Sequence, residues 1–143
     1  MTRTRSQAKQ YQKLEKHLEA LDECVFCDVR TDGFNPPIEE YDNFFVIDNK
    51  FPYDIWDEEG VLDHLLLIPK QHYDTVAGFT DQEAKEFVNI LGDYESIGYD
   101  SFSRGPQSTQ KSISHQHTHL IKLDRRAKRF VLKISNPKVL LHK

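Results

Sequence analysis

From Ser6 to Leu21 the apolar residues Tyr11, Leu14, Leu18 and Leu21 recur at spacings of three and four among strong helix formers. That period predicts an amphipathic helix, which runs directly into "CVFC". The stretch "TDGFNPP" (Thr31 to Pro37) holds Gly, Asn and two prolines and reads as a loop. "NFFVID" (Asn43 to Asp48) predicts a strand and "NKFPYD" a turn. "VLDHLLLIP" (Val61 to Pro69) is a nearly continuous apolar run closed by proline, the pattern of a strand buried on both faces. "FTDQEAKEFVNILGDYE" predicts a helix: Thr80 and Glu83 form a capping box, and Phe87, Ile90, Leu91 and Tyr94 form the stripe. "YDSFS" (Tyr99 to Ser103), "HQHTHLIKL" and "RFVLKIS" read as three further strands. The polar Gly/Pro loop "RGPQSTQKS" stands before the second of them and "DRRAK" before the third.

Helix, two strands, helix, three strands is not the regular alternation of a parallel α/β sheet. The expectation is an α+β fold with a mainly antiparallel five-stranded sheet and flanking helices. Trp56, in "YDIWDEEG", is expected to pack in a loop or hairpin.

At 143 residues one domain with a single core is expected. The division is a helical extension over residues 1–22 and the domain proper over 23–143. Net charge is −4, so nucleic acid is not an expected partner. Lys122 to Lys143 holds eight Lys/Arg and one acid, Asp124, which reads as a solvated basic face. No run of 18 apolar residues suggests a membrane span, and the start has no signal-peptide core; a cytoplasmic protein with reduced thiols is expected.

The chemistry concentrates in "SISHQHTHLIKL". In a strand, residues two apart share a face, so His115, His117 and His119 would line one side. The outer two would stand about 13 Å apart, too far for three imidazoles to close on one metal ion. Gln116 and Thr118 between them are also polar, so the strand start is specialised on both sides.

"HQHTHLI" resembles the His-x-His-x-His motif of the histidine triad (HIT) superfamily. "DHLLLIPKQH" resembles that family's His, apolar strand and Pro-Lys-x-His block. "FFVID" is similar to its strand ending in a ribose-binding acid, and "CVFC" to the Cys-x-x-Cys of its bacterial members. The blocks occur in family order over roughly residues 24–123. The resemblance implies a nucleotide-binding enzyme acting at an α-phosphate, with His117 as nucleophile and a nucleotidyl-histidine intermediate. It implies that the carbonyl of His115 holds the His117 ring. His119 and Ser112 would meet phosphate oxygens or the leaving group, His64 would order the triad, and Asp48 would bind ribose. Phe44 and Ile47 are candidates for the base pocket, and Arg104 and Lys111 for a polyphosphate clamp. It implies the HIT α+β sheet, paired into a homodimer. The family's apolar residues between the histidines are here Gln116 and Thr118. Its Asn-x-Gly-x-x-x-Gly-Gln-Ser approach is here "SRGPQSTQKS", closer to the nucleotidyltransferase and phosphorylase branches.

Cys24 and Cys27, the only cysteines, fit a metal knuckle, buried thiols or a redox pair, although the βαβ setting of a redox motif is absent. Structural zinc needs four ligands. The resemblance supplies the other two as His72 and His115, which would leave His117 for phosphorus. A nucleotide sensor without turnover and a zinc-stabilised interaction module are the competing functions.

Overall fold

The structure, a computed structural model, describes residues 3–21, 24–27, 36–128, 131–135 and 138–142; of the side chains, those of 15, 18–21 and 125 onward lie outside the description. Leu18 and Leu21 of the expected stripe, and most of the basic tail, therefore fall outside the described residues.

The elements are α1 (Arg5–Leu21), β1 (Pro37–Glu40), β2 (Phe44–Asp48), β3 (Ile55–Trp56), β4 (Glu59–Pro69), α2 (Asp81–Ser96), β5 (Tyr99–Ser103), β6 (Thr118–Lys128), β7 (Val131–Ser135) and β8 (Lys138–His142). Strands β1-β2-β4-β6-β5 lie side by side in that order, with β3 added at one end of β4. Every pairing is antiparallel. The α+β expectation holds with a sheet of six strands instead of five. The extra pieces are short: β1 starts at the last proline of the expected loop. β3 pairs with β4 through Asp57 and Glu58, both at positive φ (49° and 64°), as a twist-matched two-residue hairpin requires. Trp56 thus sits in a hairpin. The last expected strand is β7, which pairs with the unforeseen β8 in a separate two-stranded sheet.

The long β4 sits at the centre and pairs with both β2 and β6, which is why its sequence is apolar on both faces. Leu65 and Leu67 face α2 with Phe44, Val46, Leu120, Ile90 and Tyr94. Leu66 and Ile68 face the other way with Phe45, Ile47, Val25 and Phe26. The capping box forms as expected: Thr80 Oγ1 accepts from the Glu83 amide at 3.2 Å, and Glu83 accepts from the Thr80 amide at 2.8 Å. Glu86 of α2 accepts from the amides of Asp42 and Asn43, tying the helix to the β1–β2 turn.

Candidate active site

The histidine strand begins later than its sequence suggests. Regular pairing starts at Thr118, opposite Leu67 of β4 and Ser103 of β5. The preceding residues bond elsewhere: the Gln116 amide donates to the Tyr73 carbonyl at 2.6 Å. Residues 115 to 121 are nonetheless all buried. His119 lies opposite Leu66, so it emerges on the face away from α2. His64, two residues before Leu66, shares that face.

Each imidazole has a neighbour that assigns its proton. The His117 Nδ1 donates to the His115 carbonyl at 2.8 Å, because a carbonyl only accepts. Nε2 of His117 is left with a lone pair. The Tyr53 amide donates to Nδ1 of His64 at 3.0 Å, so the proton of a neutral His64 sits on Nε2. That N–H donates to Nδ1 of His119 at 2.8 Å, which leaves His119 with its proton on Nε2. His115 Nε2 donates to the Pro69 carbonyl at 2.9 Å and turns Nδ1 toward the cysteines.

Burial, and then the nearby Arg3, hold His64 down to about 3. Burial also lowers His119, assisted by His117, His64, Arg104 and Arg3. His117 is lowered by burial, against the raising effect of its bond to the His115 carbonyl, with Lys111 and Arg104 lowering it further. All three are neutral imidazoles at pH 7. A neutral ring with a free Nε2 can attack an electrophile, and a neutral ring with Nε2–H can donate to an anion.

Aromatic rings wall the site. Phe102 stacks on His119 with centroids 4.3 Å apart and planes 3° apart, and Trp56 stacks on Phe102 at 4.3 Å and 9°. Tyr53 leans on His64 at 4.6 Å, and Phe26 meets His117 edge-on at 5.3 Å. Arg104 lies over Phe102 at 5.4 Å. Lys111 donates to the Asp74 carbonyl at 2.8 Å, and the Ser112 hydroxyl bonds the Tyr11 hydroxyl of α1.

Two of the nucleotide candidates read from sequence, Phe44 and Asp48, lie on the sheet face away from the histidines. Phe44 is fully buried on the α2 face. Asp48 pairs with Leu65 and also belongs to that face, where its charge acts on Tyr99. Strand alternation is the reason: "FFVID" puts Phe45 and Ile47 on the histidine side, and Phe44, Val46 and Asp48 on the other. Ile47 is on the right face but only 1% exposed, so it lies beneath the surface of the site. The residue after Asp48 is the one that reaches the site. Asn49 Nδ2 stands 3.1 Å from His64 Nε2 and 3.5 Å from Nδ1, while its Oδ1 accepts from the Phe51 amide at 3.0 Å. The positional signal for Asn49 was the period-two pattern itself. Arg3, Tyr11, Tyr53 and Phe102 had no motif to announce them.

The second cluster forms as the family resemblance implied. Ligand atoms of Cys24, Cys27, His72 and His115 all lie within 4.8 Å of one another. Nδ1 of His115 is 3.4 Å from Cys24 Sγ and 3.5 Å from Cys27 Sγ, and Nδ1 of His72 is 3.3 Å from Cys27 Sγ. Zn–S of 2.3 Å and Zn–N of 2.0–2.1 Å at tetrahedral angles put S and N about 3.6 Å apart. The four residues therefore fit a zinc ion in type, number and spacing. Burial, followed by the neighbouring Cys24, pushes the Cys27 thiol up to about 11. The Pro69 carbonyl orients His115 as an outer partner orients a metal-bound imidazole.

No protein-family model matches the chain. The sequence is 29% identical over 106 residues to the protein called hit of Bacillus subtilis strain 168, a span of 68% of this chain and 69% of that protein. A HIT family hydrolase from Clostridium thermocellum superposes with a TM-score of 0.55 at 19% identity, over 75% of this chain and 96% of the other. A zinc-bound histidine triad family protein from Mycobacterium smegmatis superposes with a TM-score of 0.54 at 19% identity, over 72% and 76%. This chain has the histidine triad fold and carries on it the three histidines after which that family is named.

Proposed function

We propose that the protein is a HIT-type nucleotide hydrolase or nucleotidyltransferase acting at an α-phosphate through His117. The observation that carries this reading is the His117 Nδ1 bond to the His115 carbonyl, which commits the ring to present an unprotonated Nε2. Nε2 attacks phosphorus, an N–P bond forms, and the bond from phosphorus to the leaving group breaks. The Nε2–H of His119 donates a hydrogen bond to the departing atom and stabilises the charge that develops there, water supplies the proton, and His64 Nε2–H, bonded to His119 Nδ1, holds that ring in the donating tautomer. Water or another acceptor then breaks the N–P bond and releases the nucleoside monophosphate. Substrates of this class are dinucleoside polyphosphates, nucleoside phosphoramidates and adenylylated compounds. Ser112 contacts the phosphate oxygens, and Arg104 and Lys111 add charge beside it.

The Cys24, Cys27, His72 and His115 cluster holds a structural zinc, since protein fills all four positions. Zinc when bound joins the segment before β1 to the residues before β6, and thereby sets the carbonyl that holds His117. The working form is a homodimer in the cytoplasm, with 23–143 as the HIT domain and 1–22 as its extension. The competing reading, a sensor without turnover, needs no lone pair on His117.

Intact-protein mass, taken after brief mixing with adenosine 5′-phosphoramidate or diadenosine tetraphosphate, tests the proposal when AMP is counted alongside. A transient adduct of one nucleoside monophosphate, or steady AMP release, absent in His117→Ala, is expected. Nucleotide binding with neither adduct nor release across both substrates would sink the enzyme and leave the sensor.

A further inference from the structure

The N-terminal extension is fastened onto the site at two points. The Arg3 guanidinium lies between two aromatic rings, 4.6 Å from the centroid of Tyr11 and 4.7 Å from that of Tyr53, and its Nε donates to the Phe51 carbonyl at 2.9 Å. Tyr53 is the residue whose amide orients His64, and its ring stands 4.6 Å from His64 and 5.8 Å from His119. Six residues past the start of α1, Tyr11 packs edge-on against Phe51 at 5.4 Å and bonds the hydroxyl of Ser112.

The charge is therefore held in place against Tyr53, the residue that packs on His64. Sandwiching and the Phe51 bond restrict the long side chain before any ligand arrives, and a preorganised guanidinium gives up less entropy on meeting an anion. Among the described residues, the bond from Nε is the only hydrogen bond of this guanidinium. Arg104 lies on the other wall, over Phe102, which itself stacks on His119. Arg3, Arg104 and Lys111 thus bring cations to this end of the sheet from three separate segments. Cations on two walls beside the histidines suit a ligand with more negative charge than one phosphate.

We infer that Arg3, two residues ahead of α1 and held between Tyr11 and Tyr53, is a specificity-determining contact for the phosphates beyond the α-position, so that the site prefers substrates with a polyphosphate leaving group. This rests on the reading of the triad as a nucleotide site and adds a residue from outside the triad domain. A staple that only docks α1 would affect all substrates alike; a phosphate contact affects only those that carry the extra phosphates.

The test compares kcat/KM for diadenosine tetraphosphate, whose leaving group is a nucleoside triphosphate, with that for adenosine 5′-phosphoramidate, whose leaving group is ammonia. Arg3→Gln should lower the first by tenfold or more and change the second by less than twofold; Arg3→Lys should fall between. Because the ratio is internal to each variant, partial loss of folded protein cancels. Equal losses on both substrates would overturn the inference and leave Arg3 as a packing residue. If wild type turns over neither compound, the enzyme reading fails, and Arg3 is read by calorimetric binding of ADP against AMP. Arg3→Gln should then erase a tenfold preference for ADP; no such preference, or one that survives the substitution, overturns the inference as well.

Discussion

The amide of Tyr53 donates to Nδ1 of His64 at 3.0 Å, and this one main-chain bond decides where the proton of the next histidine sits. With Nδ1 occupied as an acceptor, His64 donates through Nε2 to His119, and His119 must present Nε2–H outward. His64→Phe keeps a ring but removes both nitrogens, so His119 is free to take the other tautomer. AMP release should fall by about 10²-fold, the low end for losing one donor aimed at developing charge. His64 acts here as a positioning residue, and leaving-group dependence separates this from general damage. A nucleoside phosphate ester of a weakly basic phenol needs no proton on departure, so its turnover should fall less than tenfold. A uniform loss across leaving groups would refute the relay.

Metal content gives a second prediction. Purified protein never exposed to chelator should carry one zinc per chain by elemental analysis, and Cys24→Ser or His72→Ala should lose it. Structural zinc contributes folding free energy, so either variant should unfold at lower denaturant, by several kcal/mol. His117 activity should drop with it, since the carbonyl that holds its ring belongs to His115, one of the four clustered residues. Full titration of two free thiols without metal would remove the zinc reading.

The acid limb of stability should depend on Glu83. The Thr80 amide, then the Tyr73 and Thr80 hydroxyls, hold its carboxyl below the ordinary 4.5, outweighing burial. A carboxyl lowered in the folded state contributes stability that is full above the unfolded value and lost as pH falls below it toward the folded value. Glu83→Gln should therefore flatten the loss of stability below about pH 4.5 and lower stability at pH 7. Thr80→Ala should cost about 1 kcal/mol at neutral pH. The effect extends past the helix, because Tyr73 also receives the Gln116 amide next to the triad. Denaturant midpoints at pH 3.5 and 7 check the sign; an unchanged acid limb in Glu83→Gln would refute it.

Much of this was legible in the sequence because local rules and tertiary demands agree. Thr80 and Glu83 satisfy the helix start in the chain and in the fold. "LLLIP" reads as doubly buried because β4 is paired on both sides and covered on both faces. The grouping of Cys24, Cys27, His72 and His115 came from a family resemblance, since 44 residues between Cys27 and His72 and 42 between His72 and His115 leave no local pattern. Other features were hidden for physical reasons. The ladder begins at Thr118 rather than His115 because a loop carbonyl, that of Tyr73, takes the Gln116 amide. Arg3 acquires its place only through Tyr11 and Tyr53, which no spacing in the chain relates.

The sharpest disagreement between motif and geometry concerns Asp48 and Asn49. The resemblance assigns the ribose to the acid that ends "FFVID", yet register with Leu65 sends Asp48 to the α2 face, and Asn49 stands beside His64. An acceptor–donor amide meets a pair of ribose hydroxyls without the desolvation cost of a carboxylate. Asn49→Ala should weaken AMP binding by about tenfold, the loss expected of one or two hydrogen bonds left unmade, and should abolish discrimination against 2′,3′-dideoxy-AMP. Asp48→Asn should leave both unchanged, since the side chain faces away, and should shift the titration of Tyr99 instead, because a negative charge that raises the phenol is removed. Calorimetric titration of AMP and its dideoxy analogue into the two variants decides the matter. Loss of ribose discrimination in Asp48→Asn, with Asn49→Ala intact, would mean that the end of β2 turns over when nucleotide binds and that the motif, not the register, names the ribose contact.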